Sequence, residues 1–352
     1  MSSAPGARAG DVPPQADFDP AALQGYLLAA GLAPGGTVSV QRLRGGQSNP
    51  TYEVRSGETR WVLRKQPPGR LLPSAHAIDR EFRVIGALHR QGLPVPEARL
   101  YCEDASVIGT PFYLMEFMDG RIFPDPALPE LPRAQLGAIY GEMNRTIAML
   151  HRFDYAAAGL ADFGRAGNYF ARQIARWTRQ YRESATDPIT SMDALIEWLP
   201  ANIPPGEETS LVHGDFRIDN LVFDKQAPRV IGILDWELAT LGHPLADFSY
   251  HCMTWHIPAT LWRGLGGLDL AALGIPGEAD YIAEYCRHTG RSRIDHWDFY
   301  IAYNLFRIAA ILQGIARRAR DGNASGADAV EMGQRARPLA DLGWQMALRV
   351  RL

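Results

Sequence analysis

The sequence predicts an α+β protein with two lobes, a small β-rich N-terminal lobe with one main helix and a larger, mostly helical C-terminal lobe. Two observations support this prediction. Residues 37–118 alternate like strands around one helical segment, whereas helical periodicity dominates afterwards, interrupted by a strand-rich island at 211–235. The expected divisions are a flexible leader at 1–18, an N-terminal lobe at 19–118 and a C-terminal lobe at 119–352.

The bulk composition is typical of a globular enzyme. With 352 residues, 46% hydrophobic and 21% charged, the chain is long enough for two lobes with a sizeable core. The formal net charge of −3 argues against nucleic acid or an anionic membrane surface as the main partner. The three cysteines form no CxxC pair, which suits a reduced compartment and favours neither a disulfide framework nor a zinc site.

The N-terminal stretch "MSSAPGARAGDVPPQADFDP" is rich in Pro, Ala and Gly and lacks the apolar segment of a secretory signal. The sequence also shows no run near the roughly 18 apolar residues of a membrane span. We therefore expect a cytoplasmic protein without membrane insertion.

The N-terminal lobe is expected to contain a first helix, three strands, a second helix and two more strands. "DPAALQGYLLAAGL" has helical periodicity, and "TVSVQRLRGGQSNPTYEV" alternates as two strands joined at a glycine turn. "RWVLRKQ" continues as the third strand. "SAHAIDREFRVIGALHRQGLP" has apolar residues every three or four positions, as a helix requires, and "EARLYCE" and "TPFYLMEFM" complete the strands.

The C-terminal lobe is expected to be helical over 131–153 and 168–199 and again after the strand-rich island. Within that island, "LVFDKQAPRVIGIL" predicts a hairpin, because two apolar runs flank a polar turn.

The stretch "LVHGDFRIDNLVFD" holds the candidate catalytic residues. Asp215 and Asn220 have the D-x-x-x-x-N spacing of a kinase catalytic loop, in which the aspartate faces the acceptor hydroxyl. Asp235, in "LDWE", follows the predicted hairpin. Oxygen ligands such as the Asn220 amide and the Asp235 carboxylate suit Mg²⁺. The prediction is a catalytic Asp215 and a metal site at Asn220 and Asp235.

Upstream segments supply candidate nucleotide contacts in the matching order. The turn "RGGQSN" would let the backbone approach phosphates through its glycines. Arg64 or Lys65 lies on the next strand, and Glu81 lies beside the apolar face of the following helix, where a carboxylate needs a cationic partner. The candidate residues for binding the cofactor ATP in this lobe are Gly45, Gly46, Ser48, Asn49, Arg64 and Glu81.

These segments resemble the aminoglycoside phosphotransferase/choline kinase superfamily of small-molecule kinases. More narrowly, they resemble the kinase-like domain found fused to acyl-CoA dehydrogenases, over roughly residues 40–250. The segments that carry the likeness are "GGQSNPTYEV", "VLRKQPPGRLL", "AIDREFRVI", "CEDASVIGTPFYLMEFMDGRIF", "LVHGDFRIDNLVFD" and "ILDWELATLGHPLADFSY".

The resemblance implies a bilobal protein-kinase-like fold that uses ATP and Mg²⁺, with the nucleotide between the lobes. It also implies an adenine contact at Glu116 to Met118, a strand cation at Arg64, and an Asp247 that braces the catalytic loop. Gly214 replaces the Arg of protein kinases, a departure that fits the small-molecule branch.

Several residues have two interpretations from the sequence. Lys65 competes with Arg64 for the phosphates, and His213 is interpreted as a loop-orienting residue and not a metal ligand. The Arg cluster at Arg307, Arg317, Arg318 and Arg320 reads equally as a solvated helix end or as an anion site. Tyr250, Trp255, Tyr303 and Phe306 read as core or as the lining of an acyl channel.

The predicted function is ATP-dependent transfer of the γ-phosphate to a hydroxyl of a small metabolite. The narrow resemblance points to a hydroxyacyl-CoA and to a functional link with acyl-CoA dehydrogenases. The alternatives are an aminoglycoside kinase and a non-catalytic ATP-binding pseudokinase. Residues 241–352 hold 12 Arg, no Lys and 11 Asp or Glu, so this region lacks the acidic excess that a polycationic substrate requires.

Overall fold

The structure, a computed structural model, describes residues 16–33, 36–43, 49–69, 77–321 and 329–350. The chain divides into two units. The first consists of Met1–His89 and Pro96–Met118, and the second of Arg90–Val95 and Asp119–Leu352. The division after Met118 falls where the strand-rich sequence gives way to helical periodicity.

The first unit contains an antiparallel sheet with strand order β1-β2-β3-β5-β4. Two helices accompany it, and the order of elements is the one expected from the sequence. The elements are α1 (Pro20–Ala29), β1 (Val38–Arg42), β2 (Thr51–Ser56), β3 (Thr59–Lys65), α2 (Ile78–Arg90), β4 (Ala98–Cys102) and β5 (Phe112–Glu116).

Alternation along the strands builds the core of this unit. Tyr52, Val54 and Leu63 are fully buried and pack with Leu23 and Leu27 of α1. The β2–β3 register, from Thr51 opposite Arg64 to Ser56 opposite Thr59, closes on a tight turn. Because side chains alternate along β3, this pairing also fixes which of them face α2.

The last residues of the predicted leader are packed. Asp17 accepts a hydrogen bond from the Tyr52 hydroxyl at 2.6 Å, and the Phe18 ring meets the Tyr52 ring edge-on at 5.1 Å between centroids. Asp17 and Phe18, which the sequence assigned to the leader, therefore pack against Tyr52.

The second unit is mostly helical. Its long helix α9 contacts several other helices along its length, which explains why most of its residues are buried. The helices are α3 (Arg133–His151), α4 (Tyr169–Ser184), α5 (Thr190–Ala201), α6 (Pro244–Cys252), α7 (Leu270–Leu273), α8 (Glu278–Thr289), α9 (Trp297–Arg320), α10 (Ala329–Gln334) and α11 (Ala336–Ala347). The helical region predicted at 168–199 is interrupted between α4 and α5, where Pro188 lies.

Four short strands form two antiparallel pairs in this unit: β6 (Ser210–Val212), β7 (Leu221–Phe223), β8 (Val230–Ile233) and β9 (Thr240–Gly242). The β7–β8 hairpin confirms the predicted one. The sequence prediction missed β9, which pairs with β6. Its three residues are too few to show a strand period, and its partner is distant in the chain.

By length and composition alone, helix α9 could cross a membrane. However, 83% of its most apolar stretch is buried inside the second unit. The helix contains no uninterrupted run of about 18 apolar residues, because Asn304, Arg307 and Gln313 interrupt it. The apolar composition is accounted for by packing, since a central helix surrounded by other helices is apolar on most sides.

Candidate active site

The loop that follows β6 is held in place by one buried carboxylate. Asp247, near the start of α6, accepts the backbone N–H of His213 at 2.7 Å and that of Gly214 at 2.8 Å. His151 of α3 lies 3.2 Å from the same carboxylate through Nε2. Burial favours the neutral acid, but the hydrogen bonds and the nearby imidazoles hold the pKa of Asp247 below its usual value. Asp247 makes the bracing contacts that the resemblance implied.

His213 orients the loop from inside. Its Nε2 lies 2.8 Å from the carbonyl oxygen of Leu234, and its Nδ1 accepts the backbone N–H of Asp215 at 3.2 Å. Both ring nitrogens therefore have hydrogen-bond partners, as expected for a structural histidine. Among the residues that the structure describes, no group of three or more His, Cys, Asp or Glu is arranged to hold a metal ion.

The backbone at position 214 favours glycine, which explains why Gly214 stands where protein kinases have Arg. Its φ of 82° lies in the left-handed region, and a Cβ there would approach the Leu238 carbonyl oxygen to 2.7 Å. Arg307 of α9 donates to the Gly214 carbonyl oxygen at 2.6 Å. A guanidinium thus reaches the loop from a distant helix.

Arg307 is a buried brace, and neither sequence interpretation of the Arg cluster described it. Its side chain lies over the rings of Tyr250, at 4.8 Å, and Trp177, at 5.6 Å. Burial works against its charge, but neighbouring groups, with Tyr303 and Tyr250 first, leave its pKa raised. The end of α9 fits the solvated-helix interpretation, since Arg317 and Arg320 form exposed ion pairs there.

The carboxylate of Asp215 is engaged at both oxygens. Oδ1 accepts the Tyr250 hydroxyl at 2.5 Å and lies 3.0 Å from Arg217 Nε, while Oδ2 accepts Asn220 Nδ2 at 3.1 Å. Burial, followed by the charge of Asp215, raises the pKa of Tyr250, so its hydroxyl remains a donor. These three contacts fix the orientation of the half-buried Asp215 carboxylate.

Asn220 and Asp235 meet at one end of the β7–β8 hairpin. Leu221 pairs with Ile233 in the ladder, and the Leu234 N–H donates to the Asn220 carbonyl oxygen at 2.8 Å. Asn220 Nδ2 also donates to the Asp215 carbonyl oxygen at 2.9 Å. Because the amide nitrogen is directed at Asp215, the amide oxygen is the atom of Asn220 suited to a metal. The loop and the hairpin thus bring Asp215, Asn220 and Asp235 together.

The backbone of Asp235 has a conformation that L residues seldom adopt. Its φ of 65° and ψ of 64° place it in the left-handed region, immediately before a short turn of 3₁₀ helix at Trp236–Leu238. Such conformations carry strain and persist where the surrounding structure enforces them, often at functional sites. Trp236, which is buried, anchors the turn by donating its indole N–H to the Ile233 carbonyl oxygen at 2.9 Å.

The first unit contains a buried polar cluster around Glu81. Arg64 Nε lies 3.1 Å from Glu81 Oε2, and the Tyr113 hydroxyl donates to the same oxygen at 2.9 Å. Asn49 Nδ2 donates to Glu81 Oε1 at 2.9 Å. The expected strand-cation and helix-carboxylate pair is therefore present, and it is made by Arg64.

Lys65 faces the opposite side of the sheet. Its Nζ lies 3.0 Å from Asp17 Oδ1 and 5.2 Å from the centre of the Phe18 ring. Alternation of side chains along β3 separates the two neighbouring cations in this way.

Of the remaining predicted nucleotide contacts, Glu116 and Met118 lie within the described residues. Gly45, Gly46 and Ser48 lie outside the described residues. Glu116 ends β5, where its N–H donates to the Glu97 carbonyl oxygen at 2.9 Å and its carboxylate accepts the Glu97 N–H at 3.2 Å. Met118 follows in a half-buried segment without regular structure.

Two residues near Asp215 were not singled out from the sequence as site residues. Arg217 borders Asp215, and Tyr250 had been assigned only to the core or an acyl channel. Arg217 lies in a loop, where no periodicity indicates which way a side chain faces. The contact of Tyr250 with Asp215 depends on how α6 packs against that loop. Of the other aromatic candidates, Trp255 lines a pocket beside Tyr250, whereas Tyr303 and Phe306 are core residues.

Comparison with known proteins identifies the class of this arrangement. A solved protein from Ralstonia eutropha JMP134, provisionally named an aminoglycoside phosphotransferase, is similar with a TM-score of 0.87 and 49% identity, over 95% of this chain and 100% of that one. A thermostable mutant of aminoglycoside phosphotransferase APH(4)-Ia, solved with AMP-PNP and hygromycin B, shares the fold with a TM-score of 0.62 and 17% identity, over 94% and 100%. The protein-kinase-like fold is therefore confirmed.

Residues 39–300 match the Phosphotransferase enzyme family, APH, and the chain belongs to that family. It is 45% identical over 331 residues to acyl-CoA dehydrogenase family member 10 of Mus musculus and 41% identical over 345 residues to family member 11 of Homo sapiens. These alignments cover 93% and 96% of this chain but only 31% and 44% of the two relatives. The predicted resemblance, including its narrower part, is confirmed.

Proposed function

We propose that this protein transfers the γ-phosphate of ATP to a hydroxyl group of a small metabolite. The observation that supports the proposal best is the meeting of Asp215, Asn220 and Asp235 at one end of the β7–β8 hairpin. Phosphoryl transfer needs positioned groups and charge neutralisation more than covalent catalysis. This loop supplies a fixed carboxylate beside oxygen ligands, in a chain of the phosphotransferase family.

Asp215 is assigned to the acceptor. In the proposed reaction the acceptor oxygen forms a bond to the γ-phosphorus, the bond from that phosphorus to the ADP oxygen breaks, and the hydroxyl proton passes to the Asp215 carboxylate. The hydrogen bonds from Tyr250 and Asn220 hold the carboxylate for this role.

Asn220 and Asp235 are assigned to Mg²⁺. Their amide and carboxylate oxygens have the hard-ligand chemistry that this ion prefers, and few protein ligands suffice when phosphate oxygens supply others. When bound, Mg²⁺ would neutralise charge on the ATP phosphates.

The first unit is assigned to the nucleotide. Arg64, fixed by Glu81, is proposed to contact the α- and β-phosphates, and the turn with Gly45, Gly46, Ser48 and Asn49 to approach them through its backbone. Glu116 and Met118 are proposed for the adenine. The ion pair with Glu81 supports the choice of Arg64, because Lys65 is committed to Asp17.

The proposed acceptor is a hydroxyacyl thioester of CoA or a related acyl compound. Two observations favour it. The relatives in which this region occurs are named acyl-CoA dehydrogenase family members, which suggests a functional link to acyl-CoA dehydrogenation. The pocket beside Asp215 also places Arg217 and Arg263, with Asp219 between them, next to aromatic side chains, and such a rim can meet an anionic group of an acceptor.

An aminoglycoside kinase remains the second candidate, because the similar Ralstonia eutropha protein carries that provisional name. At the pocket, Asp219 and the adjoining Asp215 balance the charges of Arg217 and Arg263, so the rim has no excess of negative charge that would attract a polycation. The retention of Asp215, Asn220 and Asp235 argues against the other alternative, a pseudokinase. For the compartment we propose the cytoplasm, since Cys102, Cys252 and Cys286 are all buried free thiols.

Competition kinetics test this choice of acceptor. Hydroxyacyl-CoA esters and kanamycin-type aminoglycosides would be offered together under one coupled assay of ADP release. Turnover of the CoA esters with no turnover of the aminoglycosides is the expected result. Turnover of the aminoglycosides alone would reverse the assignment, and ATP binding without turnover of any acceptor would favour the pseudokinase.

A further inference from the structure

A pocket in the second unit opens beside the carboxylate of Asp215. Its cavity volume is about 30 Å³, and Tyr250, which donates to Asp215, forms part of its lining. Its other apolar and aromatic walls include Tyr140, Met143, Met253, Trp255, Ile257 and Trp262. The Tyr140 and Trp255 rings meet edge-on at 5.4 Å between centroids, so they pack against each other in this wall. An acceptor whose hydroxyl lies at Asp215 would have its neighbouring atoms at the mouth of this pocket, because the cavity itself has room for little more than a water molecule.

Two arginines and one aspartate form a charged rim on the same pocket. Asp219 Oδ2 lies 2.5 Å from Arg263 Nη1 and 3.6 Å from Arg217 Nη2. The Asp219 carboxylate is thus an anion held between two guanidinium groups. The geometry that accommodates this carboxylate is also the geometry that a carboxylate or phosphate of a ligand requires.

Arg217 remains cationic at this position. Burial lowers its pKa, but Tyr250, Asp215, Asp219 and Asp235 together outweigh that effect and leave the pKa raised. Its Nε lies 3.0 Å from Asp215 Oδ1, yet among the described residues it finds no partner with hydrogen-bond geometry. The Nε–H is thus paired with Asp215 by charge but not by a well-aligned hydrogen bond, and it can still donate to a further acceptor at the rim.

The backbone that carries Arg263 is strained. Its φ of 42° is in the left-handed region, and the adjoining Gly264 approaches the Ile257 carbonyl so closely that a Cβ would lie 1.8 Å from the oxygen. Hydrogen bonds from Gly266 N–H to the Ile257 oxygen, at 2.9 Å, and from Ala259 N–H to the Gly266 oxygen, at 3.1 Å, close this turn. The fold thus tolerates backbone strain at the residue that presents the guanidinium to Asp219.

We propose that Arg263 and Arg217 determine acceptor specificity by binding an anionic group of the acceptor at the mouth of the aromatic pocket. The ligand class is a hydroxylated compound that carries a carboxylate or a phosphate, and Asp219 holds the two guanidinium groups in place. This inference rests on the proposed function and deepens it. Arg263 is the residue to test, because it pairs with Asp219. Arg217 is less suitable, because it also contacts Asp215 and its replacement would disturb that carboxylate.

The test compares Arg263→Gln and Arg263→Lys with the wild type, using a hydroxyacyl-CoA, the free hydroxy acid and its uncharged methyl ester. Arg293→Gln is the matched control, because Arg293 forms an exposed ion pair with Asp295 elsewhere in the chain. Arg263→Gln should raise KM for the anionic acceptors by about tenfold or more, the scale of one charge-assisted hydrogen bond. KM for the methyl ester and for ATP should stay within about twofold, since neither meets the lost charge.

The anionic acceptors also separate the two sources of charge. A KM change for the CoA ester alone identifies its phosphates as the bound group, and a change for the free acid identifies a carboxylate. Arg263→Lys should fall between wild type and Arg263→Gln, because Lys keeps the charge and loses the forked geometry. Equal KM changes for charged and uncharged acceptors, or no change in Arg263→Gln, would overturn the inference.

A binding measurement separates failure of this inference from failure of the proposed function. Calorimetric titrations of coenzyme A and of the free hydroxy acid would use protein saturated with magnesium and AMP-PNP, so that the nucleotide site is filled. Tighter binding to the wild type than to Arg263→Gln supports the anion site even if no acceptor is turned over. Absence of binding to the wild type, or equal binding to both proteins, overturns it.

Discussion

Replacement of Asp247 by Ala should destabilise the second unit and disable the loop that carries Asp215. The variant leaves the backbone N–H groups of His213 and Gly214 without their buried acceptor, at sites where the present distances are 2.7 and 2.8 Å. A hydrogen bond to a charged group contributes about 1.5–3 kcal/mol, so two lost bonds predict about 3–5 kcal/mol after the relief of burying a charge. This is a large share of the roughly 5–15 kcal/mol that stabilises a typical domain.

Asp224→Ala is the matched control. Asp224 also accepts two backbone N–H groups, those of Gln226 at 2.9 Å and Ala227 at 3.0 Å, but in a solvated turn of the β7–β8 hairpin. Water can replace the carboxylate there, so its loss should be far smaller. Urea unfolding followed by tryptophan fluorescence measures both variants. A midpoint for Asp247→Ala equal to that of Asp224→Ala would refute the account of the brace.

The same carboxylate predicts a dependence of stability on pH. Because the pKa of Asp247 is lowered in the folded state, its stabilisation is present at neutral pH and is lost as the pH falls below the ordinary aspartate value of about 3.9 and through the folded-state pKa. The wild type should therefore lose more stability between neutral and acidic pH than Asp247→Ala does. Parallel curves for the two proteins would contradict this.

Four other substitutions test the remaining roles. Asp215→Asn should keep Mg-ATP affinity within a few-fold and lower turnover at least about a hundredfold, the scale of general-base catalysis, as steady-state kinetics with a nucleotide titration would show. Asp235→Ala should weaken Mg-ATP far more than Mg-free adenosine, and equal calorimetric losses would argue against a metal role. Arg64→Met should raise KM for ATP well above that of Lys65→Met, because Arg64 is the partner of Glu81; the reverse order would assign the phosphates to Lys65.

Local patterns were sufficient to predict most of the fold. The strands and helices of the first unit follow from alternation and periodicity, and two apolar runs around a polar turn predicted the hairpin that lies between Asn220 and Asp235. Non-local features were not predictable in this way. Strand β9 depends on a distant partner, and the apolar length of α9 reflects the helices packed around it.

The finer structure of the site shows the same limit. The sequence placed Arg64 and Lys65 side by side, and only the β-sheet register directs one to Glu81 and the other to Asp17. Arg307 illustrates the point further, because its contact with the Gly214 carbonyl joins residues that are distant in the chain. Tertiary packing decides such contacts, and neither propensity nor spacing encodes them.

The proposed chemistry is tested most directly by following isotopically labelled γ-phosphate from ATP onto a hydroxyacyl-CoA. The account predicts that the wild type places the label on the acceptor hydroxyl, as a phosphate ester that survives removal of the CoA by hydrolysis of the thioester. Asp215→Asn should yield at least about a hundredfold less of this product in the same time. Label recovered only as inorganic phosphate, or equal product from the wild type and Asp215→Asn, would contradict the proposed transfer.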